Sequence, residues 1–224
     1  MESFDFITVI VALFCILFSL SVHEWAHGFS AYKFGDNTAK QMGRLTLSPI
    51  AHIDVLGTII LPLFSLISGW PLFGWAKPVP VNPSNFKGKV SPRKKMMLVA
   101  FAGPLSNLLM AISSLLLISF LADNSNGISL LDSELKEYKS LILTFVKIFF
   151  PLNVALFIFN MLPLPPLDGS RIVEGVLPPS KINSYYKLER YSFLILLAIL
   201  WFAPSVISIP IQLTSGILKA LFLT

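Results

Sequence analysis

The chain has 224 residues, of which 54% are hydrophobic and only 13% charged, with a mean hydropathy of +0.75. A soluble domain carries about 25% charged residues, so this composition excludes intrinsic disorder and argues against an ordinary water-soluble fold. A single cysteine excludes a disulfide framework and a cysteine-based zinc ribbon, and the formal charge of +5 does not point to nucleic acid, because the basic residues sit between long uncharged runs, as in loops on the inner face of a membrane.

A bilayer core takes about 20 apolar residues as helix. Uncharged runs fall at 6–22, 55–76, 96–122, 148–167 and 191–218. They predict an all-α, polytopic helical bundle, a single membrane-embedded domain over 1–224. The first run is not a signal peptide: Glu2 and Asp5 precede it, no basic residue does, and no small-residue cleavage site follows Val22. Lysine and arginine concentrate in 28–48, 77–95 and 168–190, whereas the N-terminus and 123–139 are acidic. The positive-inside rule places the three basic segments in the cytoplasm of a multi-pass cell (inner) membrane protein, and the N-terminus outside. The run 55–76 has basic segments on both sides and contains Gly57, Pro62, Gly69, Pro71 and Gly74, so it reads as a re-entrant hairpin. Pro204 and Pro210 interrupt the last run, leaving one kinked helix or two short ones over about 188–224.

Chemistry enters where the first helix runs on into His23-Glu24-Trp25-Ala26-His27. Histidines at i and i+4 share a helix face, and that spacing lets two imidazoles meet one Zn²⁺, with Glu24 beside them as a general base. A glutamate at the end of a membrane helix is costly, which favours function over chance. A catalytic zinc needs a third protein ligand. Asp168 is a candidate: it closes the run Asn160-Met161-Leu162-Pro163-Leu164-Pro165-Pro166-Leu167-Asp168-Gly169, whose prolines unwind the helix. Asp168 could equally be the N-cap of the next segment. Two crossings between 27 and 168, with 55–76 not a full span, bring Asp168 to the depth of the histidines.

These residues, with Gly103-Pro104-Leu105-Ser106-Asn107, Gly43-Arg44-Leu45-Thr46-Leu47 and Ala51-His52-Ile53-Asp54, resemble the site-2 protease family of intramembrane zinc metalloproteases, in its compact prokaryotic branch. The resemblance covers about 6–175. It implies a three-helix catalytic core with one zinc per chain, His23, His27 and Asp168 as ligands, Glu24 as general base, and Asn107 and Asn160 near the cleft. Either asparagine could donate to the oxyanion, or simply bond one helix to another. The expected reaction is hydrolysis of peptide bonds within or near transmembrane segments of membrane-anchored proteins.

Three further readings stay open. Residues 40–48, with the alternation of 43–47, suggest a short β-hairpin-like element that could pair with an unwound substrate or merely connect. His52 could be a fourth ligand or a substrate-site group, or a satisfied structural histidine. As a whole, the chain could instead be a metal-ion transporter or a catalytically silent scaffold binding membrane helices; neither would need Glu24 as a base.

Overall fold

The computed structural model describes residues 6–68, 75–123 and 133–223. The helices are α1 (Phe6–Lys33), α2 (Thr38–Gln41), α3 (Leu61–Ser68), α4 (Pro92–Asp123), α5 (Ser133–Asn160), α6 (Asp168–Val176), α7 (Pro179–Phe202) and α8 (Ser205–Phe222). Four of them, α1, α4, α5 and α8, contain stretches long and apolar enough to cross a membrane. At 1.5 Å per residue α1 is about 42 Å long, so it outruns a hydrocarbon core of about 30 Å. Its His23–His27 turn therefore falls toward one end.

The bundle is apolar outside and partly polar inside. Phe14, Phe120, Trp201 and Phe202 are exposed, while Ser19, Asn107 and Asn153 are 0% exposed. That distribution suits a lipid solvent, where polar side chains join helices across their shared faces. α1 packs on α4 and α5, and α4 packs on α5 and α6. At one end Ala111, Leu115, Phe150, Val154 and Leu218 form an apolar core among α4, α5 and α8. The last run is two helices, α7 and α8, which break at Ala203 and Pro204.

Two expectations are not borne out. The re-entrant hairpin over 55–76 finds no support: 69–74 lie outside the described residues, and 55–68 is one helical stretch, a π-turn at Val55–Ile60 leading into α3. Its 14 residues cover about 21 Å, too little to cross. Gly57 does not break it: the glycine leaves room for the Trp75 indole, which a Cβ there would strike. Pro62 does not break it either: the helix runs on through it, with the turn before it in π form, Leu61 N–H reaching the Leu56 carbonyl. The other three breakers, Gly69, Pro71 and Gly74, lie outside the described residues.

The second failure is the β-hairpin-like element at 40–48; there is no strand among the described residues. α2 ends in a turn at Gly43, whose φ of 66° favours glycine, and 45–47 are bends. Side chains take the peptide groups that a ladder would need. Arg44 Nη2 donates to the carbonyls of Lys77 (2.7 Å) and Pro78 (3.2 Å), and His52 Nε2 bonds the Thr46 carbonyl (2.8 Å). The neighbouring strap 75–82 cannot supply a partner strand, because Pro78 and Pro80 lack N–H donors.

The strap is nonetheless held firmly. Trp75 N–H donates to the Gly57 carbonyl, and Lys77 N–H to that of His52. At its far end Asp36, 1% exposed, accepts from Asn82 N–H (2.7 Å), Asn85 Nδ2 (2.8 Å), Thr38 N–H and Thr38 Oγ1. Of the basic residues at the start of α4, Lys95 is buried with its Nζ on the Lys87 and Gly88 carbonyls, and Arg93 bonds the Leu177 carbonyl at 2.7 Å.

Burial works to raise the Asp36 carboxyl, but the bonds from Asn85, Thr38 and Asn82 outweigh it and hold it below the usual carboxylate range. A depressed carboxyl contributes stability above its unfolded pKa and loses it as pH falls through the folded one. Asp36→Ala is therefore expected to cost about 2–3 kcal/mol at neutral pH. In denaturation curves of the detergent-solubilised protein, that gap should narrow as pH drops below the ordinary carboxylate range.

Candidate metal centre

Residues four apart on a helix share a face, and two such stripes meet here. α1 presents Ser19, His23 and His27; α4, running antiparallel, presents Val99, Gly103 and Asn107. His27 Nδ1 bonds the Val99 carbonyl at 2.8 Å, and His23 Nδ1 bonds Asn107 Oδ1 at 2.6 Å. Gly103 lies between them. A Cβ there would collide with both imidazoles, so only glycine lets α4 come this close.

Asp168 arrives from the other side. After α5 ends at Asn160, tight turns carry the chain to α6, where Gly169 packs so closely on the Met161 and Leu162 carbonyls that a Cβ would strike them. Asp168 does not cap α6. The N-cap is Leu167, with no side-chain cap bond, and the Asp168 carboxylate points at the histidines instead. Its Oδ2 is 3.1 Å from His23 Nε2, and its Oδ1 is 3.3 Å from His27 Nε2. The two Nε2 atoms are 3.0 Å apart.

The donor set fits a cation. Carbonyl oxygens can only accept, so both Nδ1 atoms carry hydrogen, and in its neutral form each ring aims its Nε2 lone pair at the other and at a carboxylate. Asp168 Oδ2 is buried with no hydrogen-bond donor. Three electron-rich atoms converging in this way repel one another unless a cation lies between them. Tetrahedral zinc with bonds of 2.0–2.2 Å separates its ligands by about 3.3 Å, close to the spacing here. Among the described residues this is the one group of three His, Cys, Asp or Glu side chains with donor atoms within 4.8 Å of one another.

The other sequence candidates separate. Glu24 Oε2 accepts the Val79 N–H of the strap at 2.7 Å, which fixes the carboxylate beside the cluster. Asn160, at the end of α5, spends one amide hydrogen on the Leu156 carbonyl (3.0 Å) and keeps the other. Asn107 is 0% exposed and stands behind His23, with its Oδ1 on that ring and its Nδ2 on Asn153. It is thus engaged with helices rather than open to a cleft. His52 is 2% exposed, bonds Thr46 and lies outside the metal-ligating group.

Sequence reasoning missed Asn153, Ser19 and Val79. Asn153 could have been found as an amide inside an apolar run, and Ser19 by its place one turn before His23. The contact from Val79 is made by backbone, which leaves no mark on sequence.

Residues 11–203 match the sequence profile of Peptidase family M50. Over 184 residues the chain is 42% identical to "Putative zinc metalloprotease YwhC" of Bacillus subtilis, an alignment spanning 82% of this chain and 77% of that one. It is 26% identical over 184 residues to "Putative zinc metalloprotease Rip2" of Mycolicibacterium smegmatis, spanning 82% and 64%. Against the protein of the same name in Mycobacterium tuberculosis it is 28% identical over 190 residues, spanning 84% and 65%. No solved structure matches. A profile covering most of the chain, together with a converged His-His-Asp group on membrane helices, places this protein in Peptidase family M50, the site-2 protease family of zinc metalloproteases.

Proposed function

We propose that this zinc metalloprotease hydrolyses peptide bonds within or near transmembrane segments of membrane-anchored proteins, with its site toward the cytoplasmic side of the cell membrane. The observation that carries the reading is the convergence of His23 Nε2, His27 Nε2 and the Asp168 carboxylate at the end of an apolar helix, with Glu24 beside them. The orientation rests on the basic segments 28–48, 77–95 and 168–190.

His23, His27 and Asp168 are the residues that would hold zinc. When bound, zinc supplies Lewis acidity that polarises a scissile carbonyl and acidifies water. Glu24 takes a proton from the attacking water and returns it to the leaving amine. The Val79 N–H holds Oε2 of that carboxylate, so the other oxygen is the one that moves protons. The free amide hydrogen of Asn160 donates to the oxyanion. A membrane helix hides its peptide bonds behind its own hydrogen bonds, so a substrate must unwind before it reaches this site.

These roles and the close approach at Gly103 can be tested in three ways. Zinc content of the detergent-purified protein should be about one per chain in the wild type and in Glu24→Gln, since glutamine keeps an oxygen for the Val79 N–H. Asp168→Ala should lose most of it. Cleavage of single-span reporter proteins in vesicles should vanish in Glu24→Gln, which a transporter or scaffold would tolerate. Equal zinc in all three proteins would remove Asp168 from the ligand set. Gly103→Val should also lose zinc, because its side chain occupies the space of both imidazoles. Its helix content by circular dichroism should stay that of the wild type, since valine is readily carried in membrane helices; retained zinc would refute the close-approach argument.

A further inference from the structure

Behind His23 a chain of hydrogen bonds crosses three helices and has one direction. It begins at the Phe149 backbone carbonyl, which can only accept. Asn153, on the same helix α5, must therefore turn its Nδ2 toward that oxygen (2.9 Å), and the second Nδ2 hydrogen goes to Ser19 Oγ on α1 (3.0 Å). Asn153 Oδ1 then faces α4, where it accepts from Asn107 Nδ2 (2.9 Å). That leaves Asn107 Oδ1 facing His23 Nδ1 at 2.6 Å. An amide oxygen cannot donate, so the hydrogen lies on Nδ1. Reversing Asn153 would set oxygen against oxygen at Phe149 and amine against amine at Asn107. Ser19, Asn107 and Asn153 are all 0% exposed, so they are shut off from the water that could otherwise satisfy a reversed amide.

We infer that Asn153, backed by Ser19, is a positioning residue that orients Asn107 and thereby fixes His23 in the tautomer whose Nε2 lone pair faces the metal. The inference rests on the zinc reading of the site given above. The other neutral tautomer carries hydrogen on Nε2, where it blocks coordination. Metal-ligating histidines commonly have this hydrogen held by a carboxylate or a backbone carbonyl, and His27 uses the Val99 carbonyl. A carboxylate behind His23 would be a further charge inside the membrane helices, at high cost. A neutral amide avoids that cost, but it has two unlike ends and works only if something turns it. Asn153 does so, because its own ends are set by a carbonyl that cannot change role.

The test uses the full chain in detergent with ¹⁵N-labelled imidazoles, which is tractable because the protein has only three histidines. Metal-free wild type should show His23 with hydrogen on Nδ1 throughout; a His23 population without it overturns the proposal without recourse to any variant. Asn153→Leu should mix the tautomers and weaken zinc binding about tenfold or more in competition with a chelator. The double variant Asn107→Asp with Asn153→Leu should recover both, because a carboxylate accepts from Nδ1 whichever way it turns. An Asn153→Leu protein with wild-type tautomer and zinc affinity overturns the proposal, as does a double variant no better than the single one. Wild type that binds no zinc overturns the zinc reading instead, while the tautomer in the metal-free protein reports on the relay separately.

Discussion

Two imidazole nitrogens 3.0 Å apart each face one oxygen of the same carboxylate, at 3.1 and 3.3 Å, near the end of an apolar helix bundle. No arrangement in the fold is harder to hold without a cation, and much of the rest can be understood as what holds it. The histidines must be aimed, so their Nδ1 atoms are bonded. Those bonds must come from α4, so α4 must approach α1 closely, and Gly103 is the residue that permits it. The carboxylate must reach the same point from another element, so α5 stops at Asn160 and the chain turns through prolines to set Asp168 at the start of α6.

In water such a polar cluster would be solvated when misaligned, but in lipid it is not. Apolar helices gain little from one another beyond what lipid offers them, so specificity passes to close packing and to the few polar groups between helices. The line from Phe149 through Asn153 and Asn107 to His23, with its branch to Ser19, ties α1, α4 and α5 in one register. A slip of one residue would strand several hydrogen-bonding groups at once, each costly in a medium without water. The same contacts that aim a ligand thus also choose how the three helices pack.

Much of this was legible in sequence, and the pattern of what was not is physical. The i, i+4 histidines, the adjacent glutamate and the run ending at Asp168 are local signals, and the crossing count brought Asp168 to the right end before any coordinates. The β-hairpin near 40–48 failed because alternation describes one strand and says nothing of its partner; Arg44 and His52 took the peptide groups instead. Of the breakers read over 55–76, Gly57 instead makes room for Trp75, and Pro62 sits inside a helix that runs on through it. Asn153 stood out only as an amide inside an apolar run, because its importance lies in which end of another amide it faces. That is a property of three helices together.

The three proposed ligands are not held alike, and the difference bears on how a peptide could approach. His23 and His27 sit on a long helix with both rings bonded from behind, and their side chains are 7% and 12% exposed. Asp168 sits on a short helix beyond a turn and is 20% exposed, the most open of the three. Glu24 is reached from yet another direction, by a strap that Arg44, His52 and Asp36 fasten at separate points. With α4 closing the back of the cluster and the strap fixing the base, the side bearing Asp168 is the least covered. An unwound backbone entering there would meet the carboxylate ligand before the imidazoles, and would pass the end of α5 where Asn160 keeps a free amide hydrogen. The division is between a pair on one long helix, bonded from behind, and a third ligand at the start of a short helix on the more open side.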